Sequence, residues 1–548
     1  MSDQPRETAP STPGPPGAPV APGRVRMADR AGRWVLLTTV LGSGMAMLDG
    51  TVVNVALPQI GSELGADLAV LQWTVNAYLL TLAGLILLGG ALGDRYGRRR
   101  VFVVGVVWFA LASLLCGVAW NAGVLIGARA LQGVGGALLT PGSLALIQAS
   151  FHPHDRARAV GAWSGLGGVA AAVGPFLGGW LVDGPGWRWV FLLNVPLALV
   201  CVPVALRHVP ESRDPAATGR FDVAGALLAA LALGGITYAL IGAPEQGTGP
   251  VVLASAAGGL LLGAAFVLVE RRRAAPMLPP GLFASRQFTA VNAVTGCVYA
   301  AFGGFFFLTV VHLQVVVGYS ALEAGTALLP TTLLMLALSA RSGALGRRIG
   351  PRVPLTAGPL LCAAGLLLML RVGPQASYVR DVLPALVVLG MGMVTLVAPL
   401  TATVLASVPV ARAGLASGVN NAVARAAGLL AVAALPLLVG MAPDAYRDPA
   451  AFDAAFQRAM VWCAGVLVAG AALAFLTVRR ETLADDEAPE AAGHDEHAGE
   501  AVADGTSTGR AVAEPVPECR THCALSAPPL LPGPAPADDP VDGGRPET

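Results

Sequence analysis

The chain has 548 residues, 55% of them hydrophobic and 13% charged, and a mean hydropathy of +0.65. A soluble chain of this length cannot hide that much apolar surface behind so few charges, so the sequence reads as an integral membrane protein. A formal net charge of +1 gives no argument for a nucleic-acid partner, and all 35 basic residues are arginine.

In chain order, residues 1–30 are rich in Pro, Ala and Gly and lack an apolar run. They are expected to be a disordered cytoplasmic tail and not a signal peptide. Fourteen stretches then come close to the ~20 apolar residues that cross a bilayer as a helix. The first six are Trp34–Leu57, Gln72–Leu92, Val101–Trp120, Ala122–Gln148, Val160–Val182 and Trp189–Leu206. A polar linker from Arg207 to Asp222 precedes two plainer spans, Val223–Gly242 and Pro250–Val269. The last six are Phe288–Val311, Ala324–Ala340, Val353–Leu370, Val382–Val408, Leu415–Val439 and Ala459–Val478. The remainder, 481–548, is Ala-, Pro- and acid-rich and is expected to be a second disordered cytoplasmic tail. Its Cys519, His522 and Cys523 are two thiols and one imidazole, read as part of that tail and not as a metal site. The five cysteines within the apolar runs behave as small hydrophobes. The expected domains are a first bundle over 31–207, a linker and inserted pair over 208–285, and a second bundle over 286–480.

One charged turn occurs twice. Gly90-Ala-Leu-Gly-Asp94-Arg95-Tyr-Gly97-Arg98-Arg99 is matched 253 positions later by Gly343-Ala-Leu-Gly-Arg347-Arg348-Ile-Gly350-Pro351-Arg352, with seven of ten positions identical. Two related halves explain this best. With the N-terminus inside, the inner loops hold eighteen arginines and the outer loops five: Arg188, Arg371, Arg380, Arg447 and Arg458. That asymmetry follows the positive-inside rule and places both turns and both termini in the cytoplasm. The expected location is the cytoplasmic membrane, as a multi-pass protein.

From Trp34 to Arg480 the sequence resembles the major facilitator superfamily, in its fourteen-helix drug:proton antiporter branch. The motifs that carry the resemblance are the charged turn after the second span; Leu48-Asp49-x-Thr51-Val52-Val53-Asn54 in the first; Arg129-x-x-Gln132-Gly133 in the fourth; Gly174-Pro175-x-x-Gly178-Gly179 in the fifth; and Trp187-Arg188-Trp189-x-Phe191-x-x-Asn194 before the sixth. The fifth-span motif departs from the family pattern at its leading glycine, which is Ala170 here. The resemblance implies an all-α membrane protein of major facilitator fold, two six-helix bundles plus two inserted helices. It further implies proton-driven export of small lipophilic compounds by alternating access, with no cofactor. A symporter of the same fold and a non-transporting sensor or scaffold are the alternatives. An enzyme is not expected, since no phosphate-binding loop, nucleophile–base set or ligand cluster lies in the apolar body. The partners expected are substrate, protons and lipid, with the chain acting as a monomer.

Asp49 and Arg129 lie at similar depth, roughly 10–12 Å from the outer surface at 1.5 Å per residue. A charge at that depth is costly unless paired, solvated or neutralised. Asp49 is the expected proton carrier and Arg129 the group that lets it release; a structural ion pair is the alternative. In the turn, Gly90, Gly97, Asp94, Arg95, Arg98 and Arg99 are expected to set topology and latch the cytoplasmic gate, with Asp94 as the acidic member that the second copy lacks. Gly174-Pro175 is expected to bend the fifth helix where the halves meet. Gly161, Gly165, Gly174 and Gly178 are expected to let neighbouring helices approach. Asn54, Asn76, Tyr78, Gln132, Tyr299, Phe302, Phe306 and Asn421 are candidate cavity residues. Arg425 has no acidic partner in sequence; snorkelling to the cytoplasmic face is its expected resolution, with an anionic substrate group or backbone carbonyls as alternatives. Because Asp49 is the one carboxylate expected deep in a span, neutral, weakly charged or monocationic lipophilic substrates are expected.

Overall fold

The structure, a computed structural model, describes residues 25–479 apart from 215–221, 274–275, 410–411 and 443–444. Most of the two expected tails, with Cys519, His522 and Cys523, lies outside the described residues. Residues 25–29 belong to the body: the Val25 amide donates to the Ser150 carbonyl at 2.9 Å, and the Met27 amide to Asp155 at 3.0 Å.

Among the described residues, fourteen helices are long and apolar enough to cross a membrane. They are α1 (Arg30–Glu63), α2 (Leu68–Tyr96), α3 (Arg98–Gly117), α4 (Ala122–Ser150), α5 (Pro153–Asp183), α6 (Arg188–His208), α7 (Val223–Gln246), α8 (Pro250–Arg272), α9 (Arg286–Val315), α10 (Ala321–Gly346), α11 (Arg352–Arg371), α12 (Tyr378–Ala406), α13 (Gly414–Leu438) and α14 (Pro449–Thr477). Helices suit this chain because every backbone polar group inside a bilayer must be satisfied within the segment. Their starts are coded locally. Asp67, Asn121, Asp222 and Ser285 each accept a backbone N–H three residues on, and Ser320 with Glu323 forms a capping box before α10.

The sequence places the last helix too short. It begins at Pro449, where Asp448 accepts the Ala450 and Ala451 amides, ten residues before the expected Ala459. Asp453 and Arg458 break the apolar run there, but the helix continues through them. Likewise α1 runs on to Glu63 and α9 to Val315.

In the first bundle α1 packs on α4, α5 and α6, and α4 is covered by α2 and α3. In the second, α9 packs on α13 and α14, α11 on α12 and α14, and α10 on α12. The turn glycines Gly97 and Gly350 both have positive φ, 113° and 79°, where a side chain would be strained. Gly105 and Gly358, also 253 positions apart, stand at the α3–α4 and α11–α12 crossings; a Cβ there would meet Leu139 N at 2.9 Å and Leu396 Cβ at 2.7 Å.

The bundles meet along α2–α13, α5–α10 and α1–α9. The inserted α7 packs on α8 and touches both α2 and α13. Hydrogen bonds that join the bundles gather at the end opposite the charged turns. Gln72 donates to the Val432 carbonyl at 2.6 Å, Gln314 to the Val55 carbonyl at 3.0 Å, and the Tyr446 hydroxyl to the Ala66 carbonyl. The Asp183 carboxylate at the end of α5 accepts the Ala321 and Leu322 amides at 3.1 and 2.8 Å, capping α10 from across the interface.

Candidate functional site: a buried ion pair beside a central cavity

Asp49 on α1 and Arg129 on α4 meet in a fully buried ion pair, Nη1 to Oδ2 2.5 Å. Such a pair needs its remaining donors and acceptors satisfied, since desolvation otherwise outweighs the attraction. They largely are. Arg129 Nη1 also donates to Gln132 Oε1 at 2.6 Å, and Nε to the Thr74 carbonyl at 2.9 Å. The guanidinium lies 4.4 Å from the Tyr78 ring centroid. The other Asp49 oxygen accepts from Gln132 Nε2 at 2.7 Å and sits 3.5 Å from Asn194 Nδ2. Ser113 accepts from both amides, at 3.2 and 3.0 Å, and donates to the Phe191 carbonyl at 2.8 Å. The α1 carboxylate is thus held directly by α4 and α6, with α3 bracing the two amides through Ser113.

Beside this cluster lies a cavity of about 580 Å³ between the bundles. Asn54, Tyr78, Tyr299, Phe302, Phe306, Asn421 and Arg425 all line it, with Arg129 on its wall. Tyr299, Phe302 and Phe306 follow one another at three and four residues on α9, so their rings share one face, with neighbouring centroids 6.1 and 6.3 Å apart. The cavity reaches toward the charged-turn end as far as Thr401 and Ser417.

Two candidate cavity residues lie elsewhere. Asn76 is fully buried two residues before Tyr78, about 200° round a helix of 3.6 residues per turn, so it faces away. Gln132 is buried because its amide is committed to Asp49, Arg129 and Ser113. Ser113 and Asn194 were not among the candidates. Asn194 stood in the motif before the sixth span; nothing in the sequence marked Ser113.

A second buried pair, near the ends of α9 and α14, is not evident from the sequence. His312 on α9 is fully buried, its ring stacked 3.9 Å from Phe456, and its Nε2 is 2.8 Å from Asp453 on α14. Asp453 lies only four residues into α14, near the end of the helix, and Asp49 lies far deeper in its own; the early end assigned to α9 and the late start of α14 hid both partners.

At the first charged turn, Asp94 near the end of α2 pairs with Arg98 at the start of α3 at 2.8 Å, across Gly97. The α3 N-terminus is capped from the linker: Glu211 accepts the Arg99 amide at 3.1 Å and lies 3.6 Å from the Arg99 Nε. The Arg98 amide donates to the Ser212 carbonyl at 2.9 Å. The turn is thus bonded to the segment after α6. A Cβ on Gly97 would meet Glu211 at 2.7 Å.

On α5 the motif glycines face two ways. A Cβ on Gly174 would strike Thr51, and one on Gly178 would reach Val52 at 2.7 Å, both on α1. A Cβ on Gly179 would strike Leu322, and one on Gly325 the Pro175 carbonyl, so these positions bring α5 and α10 into backbone contact. Gly161 and Gly165 do not serve close packing as expected: a Cβ on either would meet nothing within 4 Å, because neither faces a neighbouring helix closely.

The Major Facilitator Superfamily model matches residues 39–432. A puromycin resistance protein of Streptomyces alboniger is 37% identical over 83% of this chain and 93% of its own length. A tetracenomycin C resistance and export protein of Streptomyces glaucescens is 36% identical over 74% of this chain and 75% of its own. A solved bacterial homolog of the human lysosomal transporter Spinster shares the fold, with TM-score 0.59 at 18% identity over 83% of this chain and 98% of that one. On its sequence match and its fourteen-helix architecture, the chain belongs to the Major Facilitator Superfamily.

Proposed function

We propose that this protein exports small lipophilic compounds across the cytoplasmic membrane in exchange for protons, by alternating access between two six-helix bundles. Asp49 carries the proton. Both termini and both charged turns face the cytoplasm, so the cavity opens inward and the end bearing the Gln72, Asp183 and Tyr446 contacts is closed outward. The names of the resistance and export proteins above support the substrate class, and the arginine asymmetry supports the orientation.

One observation carries the reading: a fully buried carboxylate, with an arginine and two amides around it, stands beside an aromatic-lined cavity. A carboxylate needs that many partners to stay charged in an apolar interior. Protonating Asp49 removes its charge, frees Arg129 and breaks the tie between α1 and α4. The cavity meets that cluster through Arg129, so proton occupancy and substrate occupancy share one wall.

Asp49→Asn keeps the shape and removes the proton site. In proteoliposomes it is expected to lose accumulation driven by an imposed pH gradient and to keep substrate exchange without a gradient. Gradient-driven accumulation by the variant at wild-type rate would end the assignment.

A further inference from the structure

Arg425 lies eleven residues into α13, about 16 Å from its start at 1.5 Å per residue, so it sits near mid-membrane. That is too deep for snorkelling, since half of a ~30 Å hydrocarbon core separates it from either face. It is half-buried and lines the central cavity. Its Nε donates to Asn421 Oδ1 at 3.0 Å, and among the described residues no carboxylate lies within ion-pair distance. The other cationic wall group, Arg129, is already neutralised by Asp49. The remaining lining carries no charge: it is Met, Phe, Tyr, Asn, Gly and aliphatic, with Thr401 and Ser417 toward the charged-turn end. The cavity therefore holds one uncompensated positive charge beside the Tyr299, Phe302 and Phe306 rings.

We propose that this site selects lipophilic aromatic compounds carrying one anionic oxygen group, with Arg425, steadied by Asn421, as the specificity-determining contact. The inference rests on the export reading above and refines its substrate class. It departs from the sequence-based expectation of neutral or monocationic substrates. A lipophilic cation would meet a like charge and no unpaired carboxylate. An uncharged compound would leave the guanidinium with one amide in a site emptied of water, and buried cations are costly without an anionic partner. An aromatic anion satisfies the guanidinium by charge-assisted hydrogen bonds and places its rings on α9. Exchanging an anion outward for a proton inward moves charge of one sense twice, so the membrane potential adds to the driving force.

The test uses a matched pair: 1-anilinonaphthalene-8-sulfonate, an aromatic monoanion, and its uncharged parent N-phenyl-1-naphthylamine. Uptake is measured in inside-out vesicles carrying the full chain, with pH gradient and potential imposed separately. Wild type is expected to prefer the sulfonate, and an interior-positive potential to raise its uptake. Arg425→Gln should lower the sulfonate-to-parent ratio about tenfold or more, the loss of one charged hydrogen-bonding contact. Arg425→Lys, which keeps the charge, should restore most of the ratio, with thermal unfolding checking that both variants fold. An unchanged ratio in Arg425→Gln, or equal loss in the Gln and Lys variants, overturns the assignment. Wild type that moves the parent but not the sulfonate also overturns it and leaves the export reading standing. Wild type that moves neither under a proton gradient ends both.

Discussion

At the scale of single residues, the network around Asp49 divides what the sequence shows from what it hides. Asp49, Arg129 and Gln132 are legible because charged and amide side chains are rare within spans and therefore stand out. Ser113 is not, and Asn194 only as part of a motif, because they gain meaning when α3 and α6 bring Asn194 to the carboxylate and Ser113 to the amides that hold it. Asn76 misleads for the opposite reason: its polarity is visible, but its face is set by helix packing. Arg129→Gln leaves Asp49 buried beside a neutral amide. Removing one member of a buried pair costs on the order of 3–5 kcal/mol, whereas replacing both is close to neutral. Arg129→Gln should therefore unfold well below wild type in detergent, and Asp49→Asn with Arg129→Gln should recover most of the loss. A double variant no more stable than the worse single one would mean that the pair is not coupled.

At the scale of helices, the spans themselves are plain from apolar length, and each extra turn has a local cause. α14 starts early because Asp448 and Pro449 initiate it despite the charges that follow. α5 and α10 form a backbone-close junction between the bundles: Gly179 lies on Leu322, Gly325 on the Pro175 carbonyl, and Asp183 caps α10. The glycine motif of α5 was legible, but its partner glycine on α10 was not, since no motif marks Gly325. Gly325→Leu adds a side chain where the Pro175 carbonyl stands. Overpacking of this kind costs about 1–3 kcal/mol, and here it penalises only the state in which this end is shut. The variant should spend more time open at that end. A cysteine placed at Asn54 should then react faster with a membrane-impermeant maleimide added outside intact cells, and unchanged reactivity would contradict the argument.

For the molecule as a whole, the repeated turn was enough to divide the chain into related halves, and matched glycines 253 positions apart carry that symmetry into the helix crossings. Sequence could not say which end of the interface is shut, because that is a property of conformation and not of composition. The Gln72 contacts with Val432 and Ala433 make this testable. Gln72→Cys with Ala433→Cys should form a bridge on oxidation that stops transport and releases it on reduction. Transport that continues through complete bridging would mean that these positions never separate.

The inserted pair breaks the symmetry between the two side seams. On one side, α5 and α10 pack directly on each other, with α1 touching both. On the other, α7 lies against both α2 and α13, so a third helix straps the seam. When the bundles rock, α7 cannot follow both partners, and one of its two faces must slide. The swing is then uneven, like a door hung on one jamb: α2–α13 serves as the hinge post and α5–α10 as the free edge, where the greater travel and the wider crevice arise.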